Sequence, residues 1–237
     1  MDRAAWLRER QREAEERYDT LWAPLYSEKW GTYSNATHQQ FLQRFLSLVP
    51  QPGTILDAAC GAGRYMSMLL EKGHTVIGVD QSQGMLARAE AQFPPVRTEK
   101  MALQELAYRE AFEGIICVDA LEHVCPEAWP IILGNFYRAL KTQGYLYFTV
   151  ELAAETAVQA AFERGRQLGW PIVYGEWADM DEVYHYYPAL EQVRLWLQQA
   201  GFELWQEGEG DGYYHFIARK SSADTDILPM VGQASSA

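Results

Sequence analysis

From residue 54 onward the chain alternates short apolar runs with stretches of helical period. Residues 54–58 form a β-type run that leads into the glycine-containing CGAG, and 64–72 (RYMSMLLEK) repeat at helical spacing until Gly73. Residues 75–79 predict a second buried strand ending in Asp80. A helix over 83–92 follows, and Pro94-Pro95 interrupts it. Residues 96–99 form a weaker strand. GIICV at 114–118 has the unbroken apolar character of a strand buried on both faces. A helix over 127–140 then passes through Gly144 into the strand YLYFTV at 145–150. Alternation at this interval predicts a parallel sheet with helices on both faces. Beyond it, 153–168 and 189–200 read as helices, and 169–188 carry no clean period. Runs at 202–207 and 213–219, linked by GEGDG, predict a hairpin that makes the final pair antiparallel.

The first 49 residues differ. Residues 2–17 hold five acids and five arginines with no Gly or Pro, which predicts a solvated helix. From Tyr18 an aromatic stripe, Tyr18, Trp22, Tyr26, Trp30 and Tyr33, recurs at spacings of three and four. Such a stripe packs as a cap on the core or lines a pocket. Residues 37–48 form an amphipathic helix that runs into Pro50. The division expected is therefore a helical cap (1–49), an α/β domain (50–220) with a lid at 153–188, and a flexible tail (221–237).

Composition narrows the function. The 237 residues include 20 Lys and Arg against 32 Asp and Glu, a formal net charge of −12. So acidic a chain argues against nucleic-acid and anionic-membrane surfaces, which need clustered basic residues. Cys60, Cys117 and Cys125 have neither zinc-site nor disulfide-framework spacing. No 18-residue apolar run occurs, and the charged N-terminus lacks the apolar region of a signal peptide, so a cytoplasmic protein is expected.

In open α/β sheets ligands bind at the carboxyl ends of the strands, where strand order reverses. The first strand delivers ILDAACGAGR, whose small residues let backbone approach a ligand, and the second ends in Asp80, seventeen residues past Gly63. A carboxylate there can accept both hydroxyls of a ribose. A dinucleotide fingerprint beginning at Gly61 would require glycine at 66, where Met66 stands. Asp57 suits a cationic ligand better than a pyrophosphate. Both details disfavour a nicotinamide oxidoreductase.

ILDAACGAGR, VIGVDQSQGML, VDALEHV and YLYFTV together resemble the motifs of class I S-adenosylmethionine-dependent methyltransferases, in particular the ubiquinone/menaquinone-biosynthesis-like (methyltransferase type 11) group. The resemblance covers residues 50–150, with weaker agreement later. It implies a Rossmann-like, seven-stranded sheet, mostly parallel with an antiparallel last strand. It further implies that Asp57, Ala59, Gly61 and Gly63 form the turn around the methionine moiety of S-adenosyl-L-methionine. Asp80 would hold the ribose, Gln81 and Met85 would lie beside the adenine, and Met101 and Ala102 would border its ring. Asp119 would approach the sulfonium. Two departures stand out: Ala59 replaces the first motif glycine, and KMALQEL carries no acid at the position many relatives use for the adenine amino group.

For the acceptor, His123, His185 and His38 are the candidate general bases, although carboxylate or amine acceptors need none. Metal assistance is not expected. Tyr26, Trp30 and Tyr33 of the stripe, with Trp177, Tyr184 and Tyr186 of the lid, are the candidate substrate contacts. Between Arg166 and Arg194 lie five acids (Glu176, Asp179, Asp181, Glu182 and Glu191) and no Lys or Arg, which favours an aromatic or cationic acceptor. The expected activity is in-line methyl transfer to oxygen or nitrogen of a small molecule by a monomer or homodimer, leaving S-adenosyl-L-homocysteine. Carbon methylation, and a cofactor-binding protein without catalysis, are the alternatives.

Overall fold

The computed structural model describes residues 2–30, 34–178 and 184–221; in α2 the side chains of Ser27, Lys29 and Trp30 are not described. Asp2 caps the first helix by accepting from the Ala5 N–H (2.8 Å), and α1 (Arg3–Arg17) carries i,i+3 and i,i+4 ion pairs centred on Arg12. It runs through one π-helical turn (Tyr18–Trp22) into α2 (Ala23–Trp30). Asn35 caps α3 (Ala36–Leu46) by accepting from the His38 N–H. The alternating part follows as β1 (Thr54–Ala58), α4 (Met66–Glu71), β2 (Thr75–Asp80), α5 (Gln83–Gln92), β3 (Arg97–Lys100) and β4 (Phe112–Cys117). It continues through α6 (Trp129–Ala139), β5 (Leu140–Glu151), α7 (Glu155–Gln167), β6 (Glu176–Trp177), β7 (His185–Tyr186), α8 (Leu190–Gln199), β8 (Phe202–Gly210) and β9 (Tyr213–Lys220).

Seven strands form one sheet in the order β3-β2-β1-β4-β5-β9-β8, while β6 and β7 make a separate two-stranded ribbon. The first five strands are parallel, and β9 runs antiparallel to both β5 and β8. This is the expected Rossmann-like sheet. The hairpin turns on Asp211-Gly212, both at positive φ (52° and 84°), as a tight two-residue turn requires. Strand β5 begins earlier than predicted: Leu140 already pairs with Phe112 across a register shift.

Apolar residues bury both faces. Trp129, Ile132 and Phe136 of α6 pack on one side, and Leu42, Phe45, Met66 and Leu69 of α3 and α4 on the other. Helix α3 comes so close to the sheet that a Cβ on Gly114 would lie 2.6 Å from the Phe45 ring. The order reverses at β1, which pairs with both β2 and β4, so the carboxyl ends of these strands open a crevice.

The α1 prediction needs correction. The helix is not simply solvated: Trp6 is 3% exposed and joins the main core cluster, against Trp170 and Tyr184. The predicted tail lies outside the described residues from 222 onward, and no helix among the described residues is long and apolar enough to cross a membrane.

Candidate active site

A cavity of about 400 Å³ occupies the crevice at the strand ends. Its floor is the backbone that leaves β1 and β2. Ala59, Gly61 and Gly63 all hold positive φ (58°, 52° and 85°), a chain of left-handed residues that reverses direction within five positions. Ala59 adopts there a conformation that glycine takes without strain. Asp80 ties this turn to β2. Its Oδ2 accepts from the Gly61 N–H and its Oδ1 from the Ser82 N–H, each at 2.8 Å. Asp57, 4% exposed, lies beside them, and its Oδ2 has no hydrogen-bond partner among the described residues. Burial, reinforced by the charge of Asp80, pushes the Asp57 carboxyl up to about 7.

Of the ten residues expected around a cofactor, Asp57, Ala59, Gly61, Asp80 and Gln81 line this cavity, as do Met85, Met101, Ala102 and Asp119. Gly63 does not. A Cβ there would lie 2.8 Å from Met66 Sδ and 2.9 Å from the Phe93 ring, so its place is in packing the turn against α4 and α5. Asp119, at φ 59°, opens the loop after β4. Burial works to raise its carboxyl, but a hydrogen bond from Tyr213 and the Arg64 guanidinium at 2.7 Å hold it below the usual carboxylate range.

The roof comes from the N-terminal segment. Leu7, Gln11, Ala14, Tyr18, Trp22 and Tyr26 all line the cavity, extending the aromatic stripe backward through α1 at the same helical spacing. Asp19, on the π-helical turn, reaches down to α5, where its Oδ1 accepts from Ser82 Oγ (2.5 Å) and the Gly84 N–H (2.9 Å). Arg3 bonds both oxygens of Glu176 (3.0 and 2.8 Å) and also pairs with Glu127. Thus α1 is fastened to the body at both ends.

The base candidates separate. His123 and His185 line the cavity with ring centroids 4.6 Å apart. The Nδ1 of His123 lies 3.2 Å from the Tyr184 carbonyl, so Nδ1–H donates there and Nε2 accepts from the Tyr18 hydroxyl at 2.9 Å. Burial, aided by His185, lowers the His123 imidazole to about 4. His38 is placed elsewhere, which corrects its candidacy as a base. It is fully buried beneath β5 and β9, bonded through Nδ1 to the Tyr65 hydroxyl (2.7 Å) and packed on Tyr213 and His215.

The acceptor candidates separate too. Tyr26 and Tyr184 line the cavity. Trp177 and Tyr186 stand outside it: the Trp177 ring meets Tyr187, and Tyr186 presses on the backbone of Gly175, where a Cβ would clash at 2.8 Å. Trp30 ends α2 without a described side chain, and Tyr33, like Asp179, Asp181 and Glu182, lies outside the described residues. Glu176 faces Arg3 and the Tyr184 hydroxyl, and Glu191 is exposed beside Arg194. The acidic character of the cavity comes instead from the strand ends, where Glu122 after β4 and Glu151 at the end of β5 join Asp57, Asp80 and Asp119. Those two glutamates and Arg64 were not singled out in the sequence. Arg64 directly follows CGAG and Glu122 sits inside VDALEHV, so the motifs contained the signal.

A doubly wound sheet with a left-handed turn after β1 and a half-buried carboxylate ending β2 defines the Rossmann-like class that binds nucleoside cofactors. The family model described as "Methyltransferase domain" matches residues 30–207, and the chain belongs to that family. YqeM of Bacillus subtilis (strain 168), which is named a methyltransferase only provisionally, is 30% identical over 130 residues, 52% of this chain and 53% of its own. The ubiquinone biosynthesis O-methyltransferase of Pseudomonas fluorescens (strain SBW25) is 29% identical over 104 residues, 40% of this chain and 43% of its own. The chain spans about half the length of the curated relatives it matches first. Among solved structures, the 1,6-didemethyltoxoflavin-N1-methyltransferase of Burkholderia thailandensis, with 1,6-didemethyltoxoflavin and S-adenosylhomocysteine bound, shares the fold at a TM-score of 0.66. It is 19% identical, with 90% of each chain covered.

Proposed function

We propose that the protein is an S-adenosylmethionine-dependent methyltransferase acting on an oxygen or nitrogen atom of a small molecule. The observation that carries this reading is that Asp57 and Arg64, the latter bonded to Asp119, line one cavity. An orphaned carboxylate oxygen and a guanidinium are the complements of the zwitterionic amino-acid end of that cofactor. Asp80, already oriented by two backbone N–H groups, has lone pairs left for the ribose hydroxyls. Met85, Met101 and Ala102 supply apolar surface for the adenine. When bound, S-adenosylmethionine supplies a methyl group already activated on a sulfonium, so the chain has to align an acceptor, exclude water and manage a proton.

The roof built by α1, with Tyr18 and Trp22, serves the second task. The neutral His123 and its neighbour His185 serve the third wherever the acceptor carries a proton that must leave, as a phenol does. Relatives named for O-methylation and for N-methylation support both acceptor atoms. A thermal-shift experiment tests the cofactor. S-adenosylhomocysteine raises the melting temperature and NAD does not; the reverse order would overturn the proposal. Transfer of radiolabelled methyl to an acceptor pool then tests the activity.

A further inference from the structure

The carboxylates around the cavity fall into two sets. Asp119 has its counter-charge in place, bonded to Arg64 and Tyr213. Glu122 does not. It is 3% exposed, lines the cavity, and its Oε2 makes no hydrogen bond among the described residues. The basic group beside it, His123 Nε2, lies 3.9 Å from Oε1 and already accepts the Tyr18 hydroxyl, so it has no proton to offer. Glu151 lines the same cavity, with Oε2 3.7 Å from His185 Nε2 and without a hydrogen bond among the described residues, while its side chain bonds Tyr187. Tyr18, Trp22 and Tyr184 add aromatic walls to the cavity, which Arg8, Arg10 and Arg64 line as well.

Two buried carboxylate oxygens on residues that line a cavity with aromatic walls are complements of a cation. Leaving such a group ionised and unpaired is costly, and the folded protein avoids that cost by keeping the proton or by gaining a partner. Burial, the charges of Asp119 and Glu151 and a side-chain hydrogen bond with Asp119 push the Glu122 carboxyl well above its ordinary range, which favours its protonated form. A free amine that enters takes that proton, which leaves an ammonium against a carboxylate with charge and atoms conserved. An alcohol or carboxylic acid of the same shape gains no such pair.

Resting on the cofactor reading above, we propose that the methyl acceptor is an amine with an apolar or aromatic body, that Glu122, flanked by Glu151, anchors its ammonium and sets the specificity of the site, and that the ammonium returns its proton to Glu122 before the freed nitrogen lone pair takes the methyl group. The origin of the preference differs from the one expected from the lid, whose described acids are paired with Arg3 and Arg194.

Calorimetry on the full chain with saturating S-adenosylhomocysteine tests the proposal with three probes of one shape: phenethylamine, 2-phenylethanol and 3-phenylpropionate. Phenethylamine should bind at least tenfold tighter than 2-phenylethanol, and 3-phenylpropionate weakest of the three. In Glu122→Gln the advantage of the amine should fall below threefold, while affinity for S-adenosylhomocysteine stays within twofold and so reports an intact fold. Glu151→Gln, which should reduce the advantage by a smaller factor, serves if Glu122→Gln does not fold. The inference is overturned if the three probes bind alike, if the anion binds best, if phenethylamine does not bind, or if its advantage survives in both variants. Failure of S-adenosylhomocysteine to bind the wild-type protein would instead overturn the cofactor reading, and this inference with it.

Discussion

The half of the cavity that rests on β1 and β2 and the half roofed by α1 are built from very different spans of chain. Asp57, the turn at 59–63 and Asp80 lie within 24 consecutive residues, and backbone N–H groups hold them in place. The roof joins α1 to Glu127 and Glu176, 124 and 173 residues away, through the side chain of Arg3. The family model begins at residue 30 and omits α1 altogether. A parallel sheet fixes its strand ends wherever it forms, so a cofactor floor can be inherited with the fold. Side-chain fastenings can be exchanged without disturbing the sheet, which leaves the roof free to diverge with the acceptor.

Breaking the floor should have the largest effect. Asp80→Ala removes the acceptor of two backbone N–H groups and, in the proposed role, the ribose partner. Affinity for S-adenosylhomocysteine should fall by about 2–3 kcal/mol, tens to a hundredfold, on the scale of charged hydrogen bonds. Calorimetry measures it, and unchanged affinity would remove Asp80 from the cofactor site.

Asp57 sharpens the comparison through pH. Its folded carboxyl titrates near 7 against an unfolded value of 3.8, so between these pH values the folded state binds more protons than the unfolded one. The ligand-free protein therefore loses stability as pH rises from about 4 to about 7, by up to about 1.4 kcal/mol per pH unit. An ammonium beside Asp57 favours the ionised form. Binding of S-adenosylhomocysteine at pH 6 should release a proton and tighten toward pH 7.5. Calorimetry in two buffers of different ionisation enthalpy reads the proton, and Asp57→Asn should abolish it while weakening binding about tenfold.

The floor was legible in the sequence and the roof was not, for a physical reason. Strand and helix periods are local, so the β1–β5 succession, Asp80 at a strand end and the antiparallel final pair could be read from neighbouring residues. The resemblance of four motifs to one family added what the turn after β1 implies. Nothing local marks Arg3 as the partner of Glu176, or Asp19 as a cap for α5. Trp6 looked incidental in a charged helix because one large side chain among ten ionic residues leaves the average pattern polar. The stripe at 18–33 was seen, but its continuation through Ala14, Gln11 and Leu7 consists of residues that are neither aromatic nor uniformly apolar. In the lid, acidic content suggested a substrate preference, whereas Glu176 is spent on Arg3.

Releasing the roof without touching the floor should therefore be possible. Arg3→Ala leaves Glu176, fully buried, with the Tyr184 hydroxyl and the Val173 N–H as its donors among the described residues. Loss of one partner of a buried pair is strongly destabilising, but Arg3 retains solvent contact, so a cost of about 1–3 kcal/mol is expected. Limited proteolysis should cut within 2–22 sooner, with affinity for S-adenosylhomocysteine lowered only a few-fold. A loss as large as that of Asp80→Ala would mean that floor and roof are one cooperative unit.

The smallest change falls where the halves meet. Tyr18 sits on the π-helical turn, a local widening that sets its ring edge-on to Trp22 at 4.7 Å and its hydroxyl on His123. Tyr18→Phe keeps the ring contact and deletes the hydroxyl, so the His123 Nε2 lone pair is left unsatisfied in a buried site. That should cost about 1 kcal/mol, a fall of roughly 2–4 °C in Tm for a chain of this size. The kinetic outcome separates two roles for His123. If the imidazole takes a proton from the acceptor, freeing Nε2 from the phenol leaves kcat intact or raises it. If His123 only holds Tyr18 over the chamber, kcat is unchanged and KM for the acceptor rises a few-fold. Affinity for S-adenosylhomocysteine stays constant in both cases, because the floor keeps every hydrogen bond that shapes it.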